Sequence, residues 1–336
     1  MLTYYSALFT ISVVLTIVYA LMWHKHFDVH LTIIYILVPI ANLAYCFIAR
    51  AKDLTEALAA QKIVYIGATF MIVFMTFSIF SLCKIRLPRW FKGLLITASF
   101  IVYSSILTIG SGDHYYIRSS LAIDRSTGVS VIQREYGFMH TVFYVYVAIC
   151  FAMCLFALLY SFVNKRNVSN FIVMLLFLPV LVASIAFFLG HAITKNIELA
   201  PVSYVYAQLV FLLIAFKLGL YDVNDSGIDS LVQKGETAFI SFDFKMRYLG
   251  CNETALKFFP KVSELIVDKP IYGNQYMNET AVKWLEAFKE DEENNEFHYS
   301  NGDSHYKVII NYLFDGRRKR GVIGHGSQGT KSGKKT

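Results

Sequence analysis

Charge is scarce along most of this chain. Only 16% of its 336 residues are Asp, Glu, Lys or Arg, against 56% hydrophobic, and the mean hydropathy is +0.48. Pro201–Phe216 carries no charge at all. A composition this poor in charge excludes a single soluble domain, where charged residues make up about a quarter. Five cysteines are too few and too scattered for a disulfide framework. Cys46, Cys83, Cys150 and Cys154 lie in or at the ends of apolar runs, and Cys251 lies in a later, more polar region. Cys150 and Cys154 share a helix face, but no histidine pair completes a zinc site, so all five read as structural. Catalytic signatures are missing too. There is no Gly-x-Ser-x-Gly elbow, and Gly321–Gly329 lacks the lysine and the strand-to-helix order of a phosphate loop. The expectation is no enzyme activity, no metal and no cofactor.

What is present is length in the apolar runs. A hydrocarbon core of about 30 Å needs roughly 20 helical residues, and seven runs approach or meet that. They are Leu2–Trp23, Leu31–Ile48, Ile63–Leu82, Gly93–Ile109, Phe138–Phe162, Phe171–Leu189 and Pro201–Leu220. Pro39 and Pro179 fall inside the second and sixth, where neighbouring helices can re-satisfy the freed carbonyls. Trp23 and Trp90 fall at interfacial positions. The N-terminus lacks the basic flank of a cleaved signal peptide, so the first run reads as a retained helix.

The formal net charge of +7 comes from short loops and from Arg317–Lys335, so anionic lipid rather than nucleic acid is the expected counter-charge. Lys84, Arg86, Arg89 and Lys92 crowd one short loop, with Lys25, Lys165 and Arg166 on the same side. The basic residues of the opposite loops are spread more widely. The positive-inside rule then places the N-terminus outside and the C-terminus in the cytoplasm of a plasma-membrane protein.

On that topology the longest connection, Gly110–Gly137, is external. Its Ser126-Thr-Gly128 turn, between apolar and β-branched stretches, predicts a short hairpin that could cap a ligand. His114, Glu135, Tyr136 and His140 fall on this face, with His191 near the end of the sixth span. Ionisable groups beside a membrane cavity are candidates for sensing a ligand. His24, His26 and His30 around Asp28 have no regular metal spacing and read as a solvated turn. His298, His305 and His325 lie in the C-terminal third without a phosphoacceptor context.

At Lys217 the last apolar run ends, and Tyr221-Asp222 opens a connector over 221–231. The pattern from there becomes that of a small α+β module over 232–323. Strands are expected at Thr237–Phe242 and Met246–Cys251, and Asn252 is placed to cap a helix over Glu253–Phe259. A second helix is expected over Glu279–Glu290. Strands at Glu296–Ser300 and His305–Phe314 flank Asn301-Gly302, a strong hairpin signal. A last strand is expected over Arg317–Ile323, and 324–336, having lost its apolar alternation, reads as a disordered basic tail.

Gly235–Ala255, with strand, turn, strand and then Asn252-Glu-Thr-Ala255, resembles the entry of a PAS domain, which implies a five-stranded antiparallel sheet with helices on one face. Ala215-Phe-Lys-Leu-Gly-Leu-Tyr-Asp222 is similar to the seam between the seven-helix N-terminal region of histidine kinases and its PAS domain. Glu135-Tyr-Gly-Phe-Met-His140 is similar to that family's entry to its fifth helix. The resemblance covers most of 1–320. It implies a bacterial two-component-type sensor, dimeric through PAS, with a histidine-kinase, diguanylate-cyclase or cyclic-di-nucleotide phosphodiesterase output. No phosphoacceptor box, Gly-Gly-Asp-Glu-Phe or Glu-Ala-Leu stretch is present, so the expected protein is an input module whose output is missing, by truncation or frameshift. It would pass a small-molecule or membrane-derived signal from a seven-helix bundle (1–220) to the cytoplasmic module. A transporter or channel with a regulatory domain is the alternative, disfavoured because the spans hold almost no ionisable residues and no repeat of helices.

Overall fold

The computed structural model describes residues 2–22, 28–124, 129–164, 168–194, 197–219, 237–301, 304–315 and 318–328. It divides into a helical unit and a C-terminal sheet unit.

The helical unit contains α1 (Leu2–Leu21), α2 (Val29–Arg50), α3 (Leu54–Leu82), α4 (Arg89–Leu107), α5 (Phe138–Asn164), α6 (Asn170–Phe188), a single turn α7 (Gly190–Ile193) and α8 (Ala200–Gly219). Among the described residues, six helices are long and apolar enough to cross a membrane by length and composition, α1 to α6; α8 is a shorter apolar helix over Ala200–Phe216. α3 starts nine residues before the expected Ile63. Asp53 accepts from the Glu56 N–H at 2.8 Å, and Glu56 Oε2 accepts from the Lys52 N–H at 3.0 Å. That reciprocal capping fixes the start of a helix whose first turns are too polar to read as a span.

α2 likewise has a side-chain cap. Asp28 accepts from the N–H groups of His30 and Leu31. His30 is therefore not part of a solvated turn: it packs its ring 5.1 Å from Phe77. His24 and His26 lie outside the described residues.

The buried face of α1, Tyr5, Leu8, Ser12 and Tyr19, follows helical spacing. Tyr19 stacks on Tyr35 at 4.0 Å. The Tyr35 hydroxyl donates to the Gln208 carbonyl at 2.6 Å, and Gln208 Nε2 donates to Thr16 Oγ1 at 3.2 Å. These bonds join α1, α2 and α8 in mid-bundle, where polar contacts hold helices that apolar surface alone does not drive together.

Between α4 and α5 stands the expected hairpin, longer than its turn signal suggested. β1 (Tyr116–Asp124) pairs antiparallel with β2 (Val129–Tyr136), Leu121 facing Ile132 and Asp124 facing Val129. The Ser-Thr-Gly turn lies outside the described residues.

The C-terminal unit is a five-stranded antiparallel sheet in the order β4-β3-β7-β6-β5, built from β3 (Ala238–Asp243), β4 (Tyr248–Cys251), β5 (Glu296–Asn301), β6 (Ser304–Asp315) and β7 (Arg318–Gln328). Between β4 and β5 run α9 (Glu253–Phe258) and, after a π-helical turn at Asn278–Val282, α10 (Lys283–Glu290). Ala238, Phe242, Val308, Ile310 and Val322 of the sheet bury against Ala255, Phe259, Leu285 and Phe288. The disordered tail expected over 324–336 is corrected for 324–328, because β7 continues to Gln328; 329–336 lie outside the described residues. Gly324 and Gly326 pair with Ile240 and Ala238 on one side and with Ile310 and Val308 on the other. A central strand is held by backbone bonds on both edges and needs no apolar alternation of its own. The preceding Gly321 crosses close to β3: a Cβ there would stand 2.2 Å from the Phe242 carbonyl oxygen.

Candidate functional site

One end of the helical unit gathers the start of α1, the α2–α3 turn, the hairpin and the segment leading into α8. β2 carries the determining residue. Side chains along a strand alternate faces; Ile132 is buried at 8% exposure, so Arg134 shares its inward face and Glu135 takes the outward one. Arg134 donates to Glu198 Oε1 at 2.6 Å, to the Tyr136 hydroxyl at 3.1 Å and to the Tyr116 hydroxyl at 3.4 Å. The Tyr116 hydroxyl in turn shares a 2.9 Å hydrogen bond with that of Tyr65 on α3. Burial opposes the charge on Arg134, but the oxygens of Tyr116, Tyr65 and Glu198 outweigh it and hold its pKa well above the ordinary arginine value.

Glu198 is gripped from a second side by its backbone. The Tyr4 hydroxyl donates to its carbonyl at 3.2 Å, and its N–H donates to the Tyr5 hydroxyl at 3.3 Å. Since Ala200 starts α8 two residues later, the hairpin, α1 and the head of α8 meet at Glu198.

The predicted site residues divide. His140 is buried and stacks on Tyr136 at 3.7 Å, with the Tyr115 ring edge-on at 5.5 Å and the Tyr144 ring at 4.8 Å. Tyr136 bridges this stack to Arg134. His114 and Glu135 are exposed, and among the described contacts neither side chain joins the cluster. His191 lies in α7; its side chain is outside the described residues, as are the side chain of Lys217 at the end of α8 and all of Tyr221 and Asp222. Gly137 has a packing reason. The chain passes so close to the turn before β1 that a Cβ at Gly137 would sit 2.4 Å from the His114 carbonyl oxygen, while the Gly137 N–H donates to the Tyr115 carbonyl at 2.9 Å.

Arg134 and Glu198 are the residues that reading the sequence for histidines passed over. The signal was available: a lone arginine two residues from an isoleucine in a strand-like run points inward, and a buried arginine demands a carboxylate. Its carboxylate sits 64 residues on, which no local pattern marks. Chemically the cluster is a caged cation within a wall of phenol rings. It offers recognition and a breakable ion pair rather than an activated nucleophile. Among the described residues, no group of three His, Cys, Asp or Glu is placed to hold a metal ion.

Residues 7–224 match the family model described as the N-terminal 7TM region of histidine kinase. No curated protein matches the chain. The matched stretch is well over half the chain and takes in nearly all of the helical unit, the hairpin and the Arg134–Glu198 cluster. The chain therefore belongs to the family that carries the N-terminal 7TM region of histidine kinase, a multi-pass membrane protein.

Proposed function

We propose that the chain is the sensory input of a membrane receptor, reading a small-molecule or membrane-derived signal at the Arg134–Glu198 end of the bundle. The observation that carries this reading is the three-way junction at Glu198. A ligand that competes for Arg134, or that moves the hairpin, acts directly on the head of α8. That helix rises about 30 Å over its twenty residues, enough for a seventh crossing. Lys217, Tyr221 and Asp222 then begin the connector to the sheet domain. Such coupling requires a ligand that binds two arrangements of the bundle with different affinity.

The sheet domain is the receiver, a PAS-like module. In support, among the described residues its helices lie between β4 and β5 and cover one face of the sheet through the shared core. Asn252 caps the helix that follows it: Oδ1 accepts from the N–H groups of Phe239 and Ala255, and Nδ2 donates to the Thr237 carbonyl. That one side chain fastens β3 to the start of α9. In this reading the loop end faces outward, the sheet domain is cytoplasmic, two copies pair, and a histidine kinase or a cyclic-di-nucleotide enzyme provides the output.

Charge swapping tests it. With a histidine-kinase output fused in frame, Arg134→Glu or Glu198→Arg alone should shift autophosphorylation by about tenfold, as loss of an interaction of roughly 1.4 kcal/mol would. The double swap should restore it. Single variants that fold and leave output unchanged overturn the reading.

A further inference from the structure

The helical unit holds a cavity that the polar contacts described above leave unfilled. It lies between α2, α3, α5, α6 and α8, with Val38, Met71, Met75, Phe187, Ser203 and Phe211 among its walls. Its volume is about 60 Å³. One water needs only about 10–15 Å³, so this is more than a packing flaw. Small side chains at Ala68, Ala183 and Ala207 leave the room, and the walls are overwhelmingly carbon. A space lined in this way favours apolar matter over water.

Polar chemistry gathers at one end. Ala200, Ser203 and Tyr204 bring the first turn of α8 into the wall directly after Glu198. Tyr144 links the cavity to the cluster, its ring 4.8 Å from His140 and 4.8 Å from Phe187. An apolar chamber beside a polar, aromatic rim is a shape that neither a wholly polar nor a wholly apolar ligand satisfies.

We propose that the cavity takes the tail of a single-chain amphiphile, an acyl or alkyl chain lying among Met71, Met75 and Phe187. Its hydrogen-bonding head group is held at the Ser203 and Tyr204 end. This names the ligand class for the sensing role proposed above and rests on that reading for its consequence, while the binding itself stands apart from it.

The test is photolabelling of the full chain in phosphatidylcholine nanodiscs. One arm uses a diazirine-bearing C12 fatty acid added from water; the other uses phosphatidylcholine with the diazirine in its acyl chain. Saturable labelling of cavity-wall residues is expected, and Ala207→Phe should cut it by about tenfold while labelling of the lipid-facing Phe100 stays constant. Ala68→Leu is the second filling variant, should Ala207→Phe fail to fold. Saturation by the fatty acid identifies a free amphiphile as the source, and saturation by the phospholipid alone identifies the bilayer. Labelling that tracks lipid exposure, does not saturate and ignores both filling variants overturns the site. Saturable labelling with no change in the output of the fused kinase sinks the sensing role and leaves the site; an unlabelled cavity beneath an intact charge-swap response does the reverse.

Discussion

Arg134 sits 15% exposed with a carboxylate and two phenols around it, and its neighbour Glu135 faces away from all of them. One position along a strand separates a residue that ties three segments together from one that touches solvent. Gly137, next in the same run, is held by steric space rather than by backbone freedom. Gly137→Ala should force the hairpin away from the His114 carbonyl and cost about 2 kcal/mol, the usual penalty for an atom placed where none fits. A drop in Tm of the purified chain in nanodiscs, with lower protection of the Tyr115 and Tyr116 amides, would register it. An unchanged Tm would mean the turn yields cheaply. The histidines follow the same lesson. His140 is drawn into the ring cluster and His114 is left outside it, although both were equally visible in the sequence.

At the scale of elements, apolar length located the helices well, and the errors fall where side chains rather than hydropathy set a boundary. α3 begins at its Asp53 cap instead of at its first long apolar stretch, and α7 is a four-residue turn with no signal of its own. β7 is the more consequential difference. Its second half, Gly324-His-Gly-Ser-Gln328, has the composition of a tail, yet it is paired on both sides. Deleting 324–336 should therefore expose the β3 and β6 edges and cost on the order of 3 kcal/mol of sheet-domain stability, at about 1 kcal/mol for each of a few lost hydrogen bonds. Hydrogen exchange at Phe239 and Val308, read on the full chain and on the shortened one, decides between this and a dispensable tail. Equal protection in the two would return the tail reading.

For the whole molecule, the helical unit and the sheet domain are joined in sequence through α8 and the segment after it. If a signal travels that way, stiffness in the joint matters more than its chemistry. Eight Gly/Ser residues inserted after Asp222, in the chain fused to a kinase output, should uncouple the two. Autophosphorylation would then become the same for wild-type and Arg134→Glu inputs, since a flexible linker transmits neither rotation nor translation. A charge-swap effect that survives the insertion would place the coupling elsewhere.

Membrane character, the places of six long apolar helices, the hairpin after α4 and the α+β order of the last hundred residues were all legible in one dimension. Each depends on periodicity or composition within a window of some twenty residues. Which charges meet was not. Arg134 finds Glu198, Tyr35 finds Gln208, and five helices leave an apolar space between them only once the chain has closed on itself. Long-range pairing depends on where helices end and how they lie together, and no stretch of sequence contains that information locally.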